Sequence, residues 1–192
     1  MSIDIEELFA RAYQLQHNDN FSEAIGCYEQ ILTLSPQNTE AMRLIGFAYV
    51  QLGDMENAIS YFSRALALEP HDAGLHNNLG NAFKKLGALD QAVNEYQQAL
   101  KIKPQYAQAH NNLAAVYASQ GLYEQALNHY CLAVNQEPDF ALAHYNLGLL
   151  FLKNNQLDAA RKQFNNVLAL NPTHYEAEFY LGVLALENNS LV

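Results

Sequence analysis

The stretch LGNAFKKLGALDQAVNEYQQALKIKP, residues 79–104, decides the fold of this chain. Its first part is an apolar stripe with helical spacing, as between Leu79 and Phe83, which predicts an amphipathic helix. Gly87 favours a turn, because glycine adopts positive φ without steric cost. A second apolar stripe predicts a second helix, and Pro104 ends it because the residue before a proline disfavours helical geometry. The stretch therefore predicts a helical hairpin.

The same pattern recurs along the chain with a period of 34 residues. Every interval between successive prolines, from Pro36 to Pro172, has this length. An alanine stands twelve residues before each proline, and an aromatic residue stands eight before it. Residues that tolerate positive φ occupy one place in successive units, namely Asp19, Gly53, Gly87, Gly121, Asn155 and Asn189. One hairpin cannot bury both of its apolar stripes, so neighbouring hairpins are expected to stack and share a core.

The residues Leu79-Gly80, Phe83, Ala92, Tyr96 and Pro104 follow the pattern L-G-x-x-Y…A-x-x-x-F…P. On these residues the chain resembles the tetratricopeptide repeat (TPR) family over nearly its whole length. The resemblance implies an all-α, right-handed superhelical solenoid of antiparallel helix pairs. It predicts five full repeats and one extra helix, with repeats at 5–38, 39–72, 73–106, 107–140 and 141–174 and a partial sixth repeat at 175–192.

No other domain or linker is expected, so residues 1–192 are predicted to form a single TPR domain. Residues 187–192 align with residues 153–158, where a second helix begins in the preceding repeat. We therefore expect the chain to be truncated from a longer protein. The alternative is that the lone sixth helix is itself the polar cap that ends such a stack. An open end of this kind also favours self-association into a homo-oligomer.

Composition and charge limit the partners. The formal net charge is −10, which disfavours nucleic acid and anionic membranes, because both need a basic surface. No apolar run has the roughly 20 residues that a membrane helix needs, so no membrane insertion is expected. The two cysteines, Cys27 and Cys131, do not form a disulfide framework, which favours a cytoplasmic location. An extracytoplasmic chain without disulfides is the alternative.

In proteins of the resembling family, the first helices of the repeats line a concave groove in which ligands lie. Asn78, Asn112 and Asn146 form a ladder with the 34-residue period on this face, similar to the ladder in the repeat arm of O-linked N-acetylglucosamine transferases. An amide offers both a donor and an acceptor, so such a row suits the backbone of an extended peptide. The predicted peptide-binding residues are Arg43, Phe47, Asn77, Asn78, Asn81, Lys84, Lys85, Asn111, Asn112, Tyr145 and Asn146.

An alternative role stays open for the asparagines, which could bond only to neighbouring helices or to water. Lys84 and Lys85 are expected at the groove edge, where they would meet an acidic group of a ligand. The clamp of Lys, Asn, Asn, Lys and Arg that binds chaperone carboxylates in some family members is incomplete, since Gln108 and Asn112 stand where cations are required.

His76, His110 and His144 replace the usual aromatic residue near the start of a repeat. Equivalent residues of stacked helices lie roughly 10 Å apart, so they cannot share one zinc ion and are expected to pack. No motif of a phosphate loop, zinc protease or serine hydrolase is present, and no cofactor or catalytic residue is expected. The sequence predicts a non-catalytic scaffold for protein–protein interaction that binds an extended peptide or a partner helix. The alternative is a substrate-recruiting arm of a larger glycosyltransferase or methyltransferase.

Overall fold

The computed structural model describes residues 4–189, with side chains up to residue 186. Within this range all regular secondary structure is α-helical, so the predicted all-α class is confirmed. The described helices are α1 Ile5–His17, α2 Phe21–Leu34, α3 Thr39–Leu52, α4 Met55–Leu68, α5 Ala73–Leu86, α6 Leu89–Ile102, α7 Ala107–Ser119, α8 Tyr123–Gln136, α9 Ala141–Lys153, α10 Leu157–Leu170 and α11 Tyr175–Asn189. We call the odd-numbered helices A helices and the even-numbered ones B helices. Every A helix begins on the first residue of a predicted repeat.

The chain divides into two compact units, Met1–Pro104 and Gln105–Val192. The first unit holds the hairpins α1–α2, α3–α4 and α5–α6, and the second holds α7–α8, α9–α10 and the single helix α11. Within each unit, the B helix of one hairpin packs on the A helix of the next. The division follows Pro104, two residues before the end of the third predicted repeat. A single continuous domain and a right-handed superhelix stay predictions.

The turns inside the hairpins have the backbone geometry that the sequence predicts. Gly53, Gly87 and Gly121 adopt φ values of 80°, 83° and 75°. Asp19 and Asn155 occupy the same place with φ values of 57° and 58°, since short polar side chains tolerate the left-handed region best after glycine. Asn189 differs because it is the last residue of α11, and no turn follows it among the described residues.

Polar residues start several helices of the first unit. Asn38 accepts a 2.8 Å bond from the backbone N–H of Ala41, and Asp72 accepts a 2.9 Å bond from that of Leu75. These side chains satisfy backbone donors that have no partner within the helix. The A helices α3 and α5 are therefore fixed at their first turn.

In the second, third and fifth hairpins, a glycine of the A helix lies close to an aromatic ring of the B helix. A β-carbon placed on Gly80 would lie 2.7 Å from Cε1 of Tyr96, and one on Gly148 would lie 2.8 Å from Cε1 of Phe164. Contacts this short are not tolerated, so glycine is needed wherever the ring keeps this position. The rings of Tyr96 and Phe164 are fully buried as a result.

The core lies between the helices of each unit. The periodic alanines of the B helices are completely buried, namely Ala24, Ala58, Ala92, Ala126 and Ala160. In the second unit, α11 packs on α10 through Ala177 and Leu184, both fully buried. The predicted sixth A helix thus joins the stack. Among the described helices, none combines the length and the apolar composition that a membrane span requires.

Candidate functional site

The candidate surface consists of the residues at the second, fifth, sixth, ninth, twelfth and thirteenth places of each repeat, and we call it the A-helix face. In the first unit α1, α3 and α5 carry it, and in the second unit α7, α9 and α11 carry it. Some large apolar side chains on this face are exposed, such as Phe47 with 44% and Leu142 with 51% of their surface accessible. Their exposure means that the core leaves these side chains available to a partner.

The three asparagines of the ladder lie in different surroundings. Asn78, on α5 of the first unit, is half-buried, and its carboxamide has no hydrogen-bond partner among the residues that the structure describes. Asn146, on α9 of the second unit, donates a 2.9 Å hydrogen bond from Nδ2 to Oδ1 of Asn111 on α7. Asn112 is half-buried on α7. Asn146 is therefore bonded to a neighbouring helix, which is the alternative to ligand binding. Among the described residues, neither the donor nor the acceptor of the Asn78 carboxamide is used.

Two of the predicted peptide-binding asparagines are interior residues. Asn77 is 6% exposed and Asn111 is 3% exposed. A ligand on the surface has little of either side chain to contact. The bond from Asn146 instead gives Asn111 a role in positioning, because it anchors the α9 carboxamide to α7.

Asn81 is tied to the core of its own hairpin. The hydroxyl of the buried Tyr96 on α6 donates a 2.7 Å hydrogen bond to Oδ1 of Asn81. This bond fixes the carboxamide of Asn81 through its oxygen. The NH2 group on the other side of the carboxamide carbon can then act as a donor. Asn81 lies three residues from Asn78 and three from Lys84, so the three side chains are neighbours along α5.

Lys84 and Lys85 are adjacent in sequence and differ in their surroundings. Burial and the neighbouring Lys85 charge lower the pKa of the half-buried Lys84 ammonium. No carboxylate in the described part of the chain lies within ion-pair distance of Lys84. Lys85 instead lines an open depression of about 580 Å³ at the α3–α4 turn, together with Asp54 and Glu56. Within the part of the chain that the structure describes, Lys84 is therefore a cation without a counter-ion, while Lys85 lies near carboxylates.

Arg43 is engaged within its own helix. Its guanidinium donates from Nε and Nη2 to the two carboxylate oxygens of Glu40, at 2.8 and 2.5 Å. Tyr13 on α1 donates a long 3.5 Å hydrogen bond to the same carboxylate. Burial and the Glu40 charge raise the pKa of Tyr13. The Arg43 charge is thus largely balanced by Glu40 before any ligand arrives.

Tyr145 belongs to an aromatic cluster of the second unit. Its ring centroid lies 5.0 Å from that of His174, 6.0 Å from that of Phe164 and 6.4 Å from that of Tyr180. Burial raises the pKa of its hydroxyl. The side chain is half-buried, so part of the ring contributes to the core and the rest to the A-helix face.

The first unit also carries a depression that the sequence did not predict. An open hollow of about 460 Å³ lies between α1 and α3 and is lined by Glu6, Phe9, Ala10, Tyr13 and Glu40. The first four occupy the second, fifth, sixth and ninth places of the first repeat, which are A-helix-face places. Applying the positional rule to the atypical first repeat would have found them.

The periodic histidines pack between helices, and the described residues contain no group of three His, Cys, Asp or Glu side chains able to hold a metal. His76 Nδ1 lies 2.7 Å from Oε2 of Glu95, and His144 Nδ1 lies 2.7 Å from Oε1 of Gln163. His110 Nδ1 lies 2.8 Å from Nδ1 of His129. Each histidine therefore contacts the B-helix residue nineteen positions later. Cys27 and Cys131 are both free thiols.

Family models match most of the chain. Models described as tetratricopeptide repeat match residues 10–73 and 145–192, and one described as TPR repeat matches residues 80–121 and 116–155. A search of curated proteins found no significant match.

Solved structures with the same helix pairs are also similar to this chain. One is TTC0263, a thermophilic TPR protein of Thermus thermophilus, which is 23% identical with a TM-score of 0.78 over 95% of this chain and 100% of that one. MamA is 24% identical with a TM-score of 0.73, over 92% of this chain and 99% of the other. YrrB, described as a TPR protein with an unusual peptide-binding site, is 22% identical with a TM-score of 0.67, over 92% and 91%. At these identities the likeness shows the fold, an all-α solenoid of helix pairs.

Proposed function

Because the chain belongs to the tetratricopeptide repeat family, we propose that it is a non-catalytic scaffold whose A-helix faces bind a segment of another protein. The observation that carries the proposal is the carboxamide of Asn78, which has no hydrogen-bond partner among the described residues and lies on a face that also exposes Phe47. An amide with free donor and acceptor can bond to a peptide backbone, and an exposed ring can bury an apolar side chain.

The second unit offers a related surface of its own. Asn112 lies on α7, Asn146 is anchored by Asn111, and Leu142 is exposed at the start of α9. An anchored amide loses less conformational entropy when a ligand binds, so the bond to Asn111 is compatible with a recognition role. A cytoplasmic location and a protein rather than nucleic-acid partner are part of the proposal, supported by the free thiols and the net charge of −10.

A display library of random peptides, selected against the protein, tests this function. Selected peptides that bind the first unit are expected to lose affinity for Phe47→Ser, and those that bind the second unit are expected to lose affinity for Leu142→Ser. The matched controls are Leu68→Ser and Leu170→Ser, which remove exposed leucines from the ends of B helices. Asn112→Ala is expected to weaken binding by on the order of 1 kcal/mol. A library without binders, or binders that respond only to the B-helix variants, contradicts the proposal.

A second candidate function, self-association, is favoured by the exposed residues of α11. Tyr175 is 72% exposed and Phe179 is 65% exposed, although both are large and apolar in character. Surfaces of this kind commonly mark protein contacts. Light scattering over a range of concentrations is expected to show a mass increase that Phe179→Ser abolishes. A concentration-independent monomer mass would rule this candidate out.

A further inference from the structure

The A-helix face of the first unit has two chemically different ends. At α1, Phe9 and Tyr13 stack with ring centroids 6.1 Å apart and line the hollow of about 460 Å³. At α5, Asn78, Asn81 and Lys84 present polar groups that the protein uses only in part. Both ends belong to the same compact unit, so one ligand can contact both.

The hollow at α1 suits an apolar side chain. Its walls are the two rings and the exposed Ala10, and its volume exceeds that of a phenylalanine side chain. Two carboxylates, of Glu6 and Glu40, stand at its edge, and Arg43 balances one of them. The remaining negative charge disfavours an acidic group at this end.

The α5 end suits an anion. Lys84 carries a half-buried positive charge with no carboxylate in ion-pair distance among the described residues, in a chain with twice as many acidic as basic side chains. Asn81 has its oxygen occupied by Tyr96 and therefore presents its NH2 group. Two donors beside each other favour a carboxylate, which only accepts hydrogen bonds.

We propose that the first unit selects a peptide that carries an apolar side chain for the α1 hollow and a carboxylate for Asn81 and Lys84. Neighbouring A helices lie about 10 Å apart, so α1 and α5 are about 20 Å apart, a span of about six extended residues. The inference rests on the proposed peptide-binding function and adds the chemistry and spacing of the ligand.

The test uses an acetylated and amidated heptapeptide with phenylalanine first, glutamate seventh, and alternating serine and alanine between them. Its reverse sequence covers the opposite chain direction. A peptide with glutamine in place of glutamate removes only the charge. Binding is followed by NMR, through the side-chain amide signals of Asn78 and Asn81 and the ring signals of Phe9 and Tyr13.

One of the two glutamate peptides is expected to shift both sets of signals and to bind about fivefold more tightly than its glutamine counterpart. Lys84→Gln is expected to remove this preference, and Ala10→Gln, which fills the hollow, is expected to remove the shifts of the rings. Lys101→Gln and Ala67→Gln, at exposed sites on B helices, are the matched controls and are expected to change neither.

The outcomes separate this inference from the proposed function. If glutamate and glutamine peptides bind this face equally, peptide binding stands but the selection of a carboxylate is refuted. If the preference persists in Lys84→Gln, the assigned cation is wrong. If neither glutamate peptide shifts any of these signals, the inference fails, and the peptide library then decides whether the broader function survives.

Discussion

The hydroxyl of Tyr96 donates a hydrogen bond of 2.7 Å to Oδ1 of Asn81, and so connects the core of the third hairpin to its A-helix face. The equivalent pairs in the second and fifth repeats are Phe62 with Phe47 and Phe164 with Leu149, which are apolar at both places. The first hairpin makes a similar connection at another place, since the hydroxyl of Tyr28 donates a 2.6 Å hydrogen bond to Oε1 of Gln16, the twelfth residue of its repeat. The bond from Tyr96 to Asn81 is the connection that fixes the carboxamide on α5.

Tyr96→Phe tests this connection. The variant keeps the buried ring and removes the hydroxyl, so we expect the free energy of unfolding to fall by about 1 kcal/mol. The Asn81 carboxamide should also lose its fixed orientation, visible as a change in its side-chain amide NMR signals. Tyr130→Phe is the matched control, because the Tyr130 hydroxyl has no hydrogen-bond partner among the described residues. An equal loss of stability in both variants would mean that the bond contributes nothing.

Two glycines on helices should respond to alanine in opposite directions. A β-carbon on Gly46 would lie 2.6 Å from Cε1 of Phe62, whereas one on Gly26 would meet nothing within 4 Å. We expect Gly46→Ala to destabilise the protein by about 1–3 kcal/mol through overpacking. Gly26→Ala should stabilise it by about 0.5–1 kcal/mol through a better helix propensity. Thermal unfolding followed by circular dichroism measures both, and shifts of the same sign would contradict the packing argument.

Acid should destabilise the second unit through His129. Burial, together with the nearby His110, lowers the pKa of His129 to about 4 from its ordinary value of 6.5. Between these values the unfolded chain binds more protons than the folded one, so stability falls as the pH falls from about 6.5 to 4. With allowance for solvent screening, we expect a loss of about 1–2 kcal/mol from this residue.

His129→Gln isolates this effect. Gln163 occupies the same place in the fifth repeat and lies 2.7 Å from His144, so glutamine is compatible with a histidine partner there. Denaturant unfolding at pH 7 and pH 4.5 should show a smaller pH dependence for the variant than for the wild type. Equal pH dependence in both proteins would exclude His129 as the source.

The hydrogen bond between the half-buried Asn146 and the buried Asn111 should contribute substantially to the free energy of unfolding. Asn146→Ala leaves Oδ1 of the buried Asn111 without its donor, at an expected cost of about 1–3 kcal/mol. A double-mutant cycle with Asn111→Ala measures the coupling between the two side chains. Additive losses would show that the two amides act independently.

The period of 34 residues determined the helices, the turns and the order of A and B helices before any tertiary contact was known. These features depend on local properties, such as the positive φ at Gly87, so they repeat with the sequence. The same positional rule would have placed Phe9 and Tyr13 on the A-helix face, had it been applied to the first repeat.

Only the tertiary structure decided which polar side chains of the A-helix face are available. Asn78 and Asn146 are the same residue at the same place of their repeats, yet Asn78 is unpartnered within the described chain and Asn146 is bonded to Asn111. Hydrogen bonding depends on the distance and rotation between two helices, and these follow from packing. An asparagine that recurs at the same place of each repeat gives no information about that distance. The 34-residue period therefore does not predict which of these amides is bonded to a neighbouring helix.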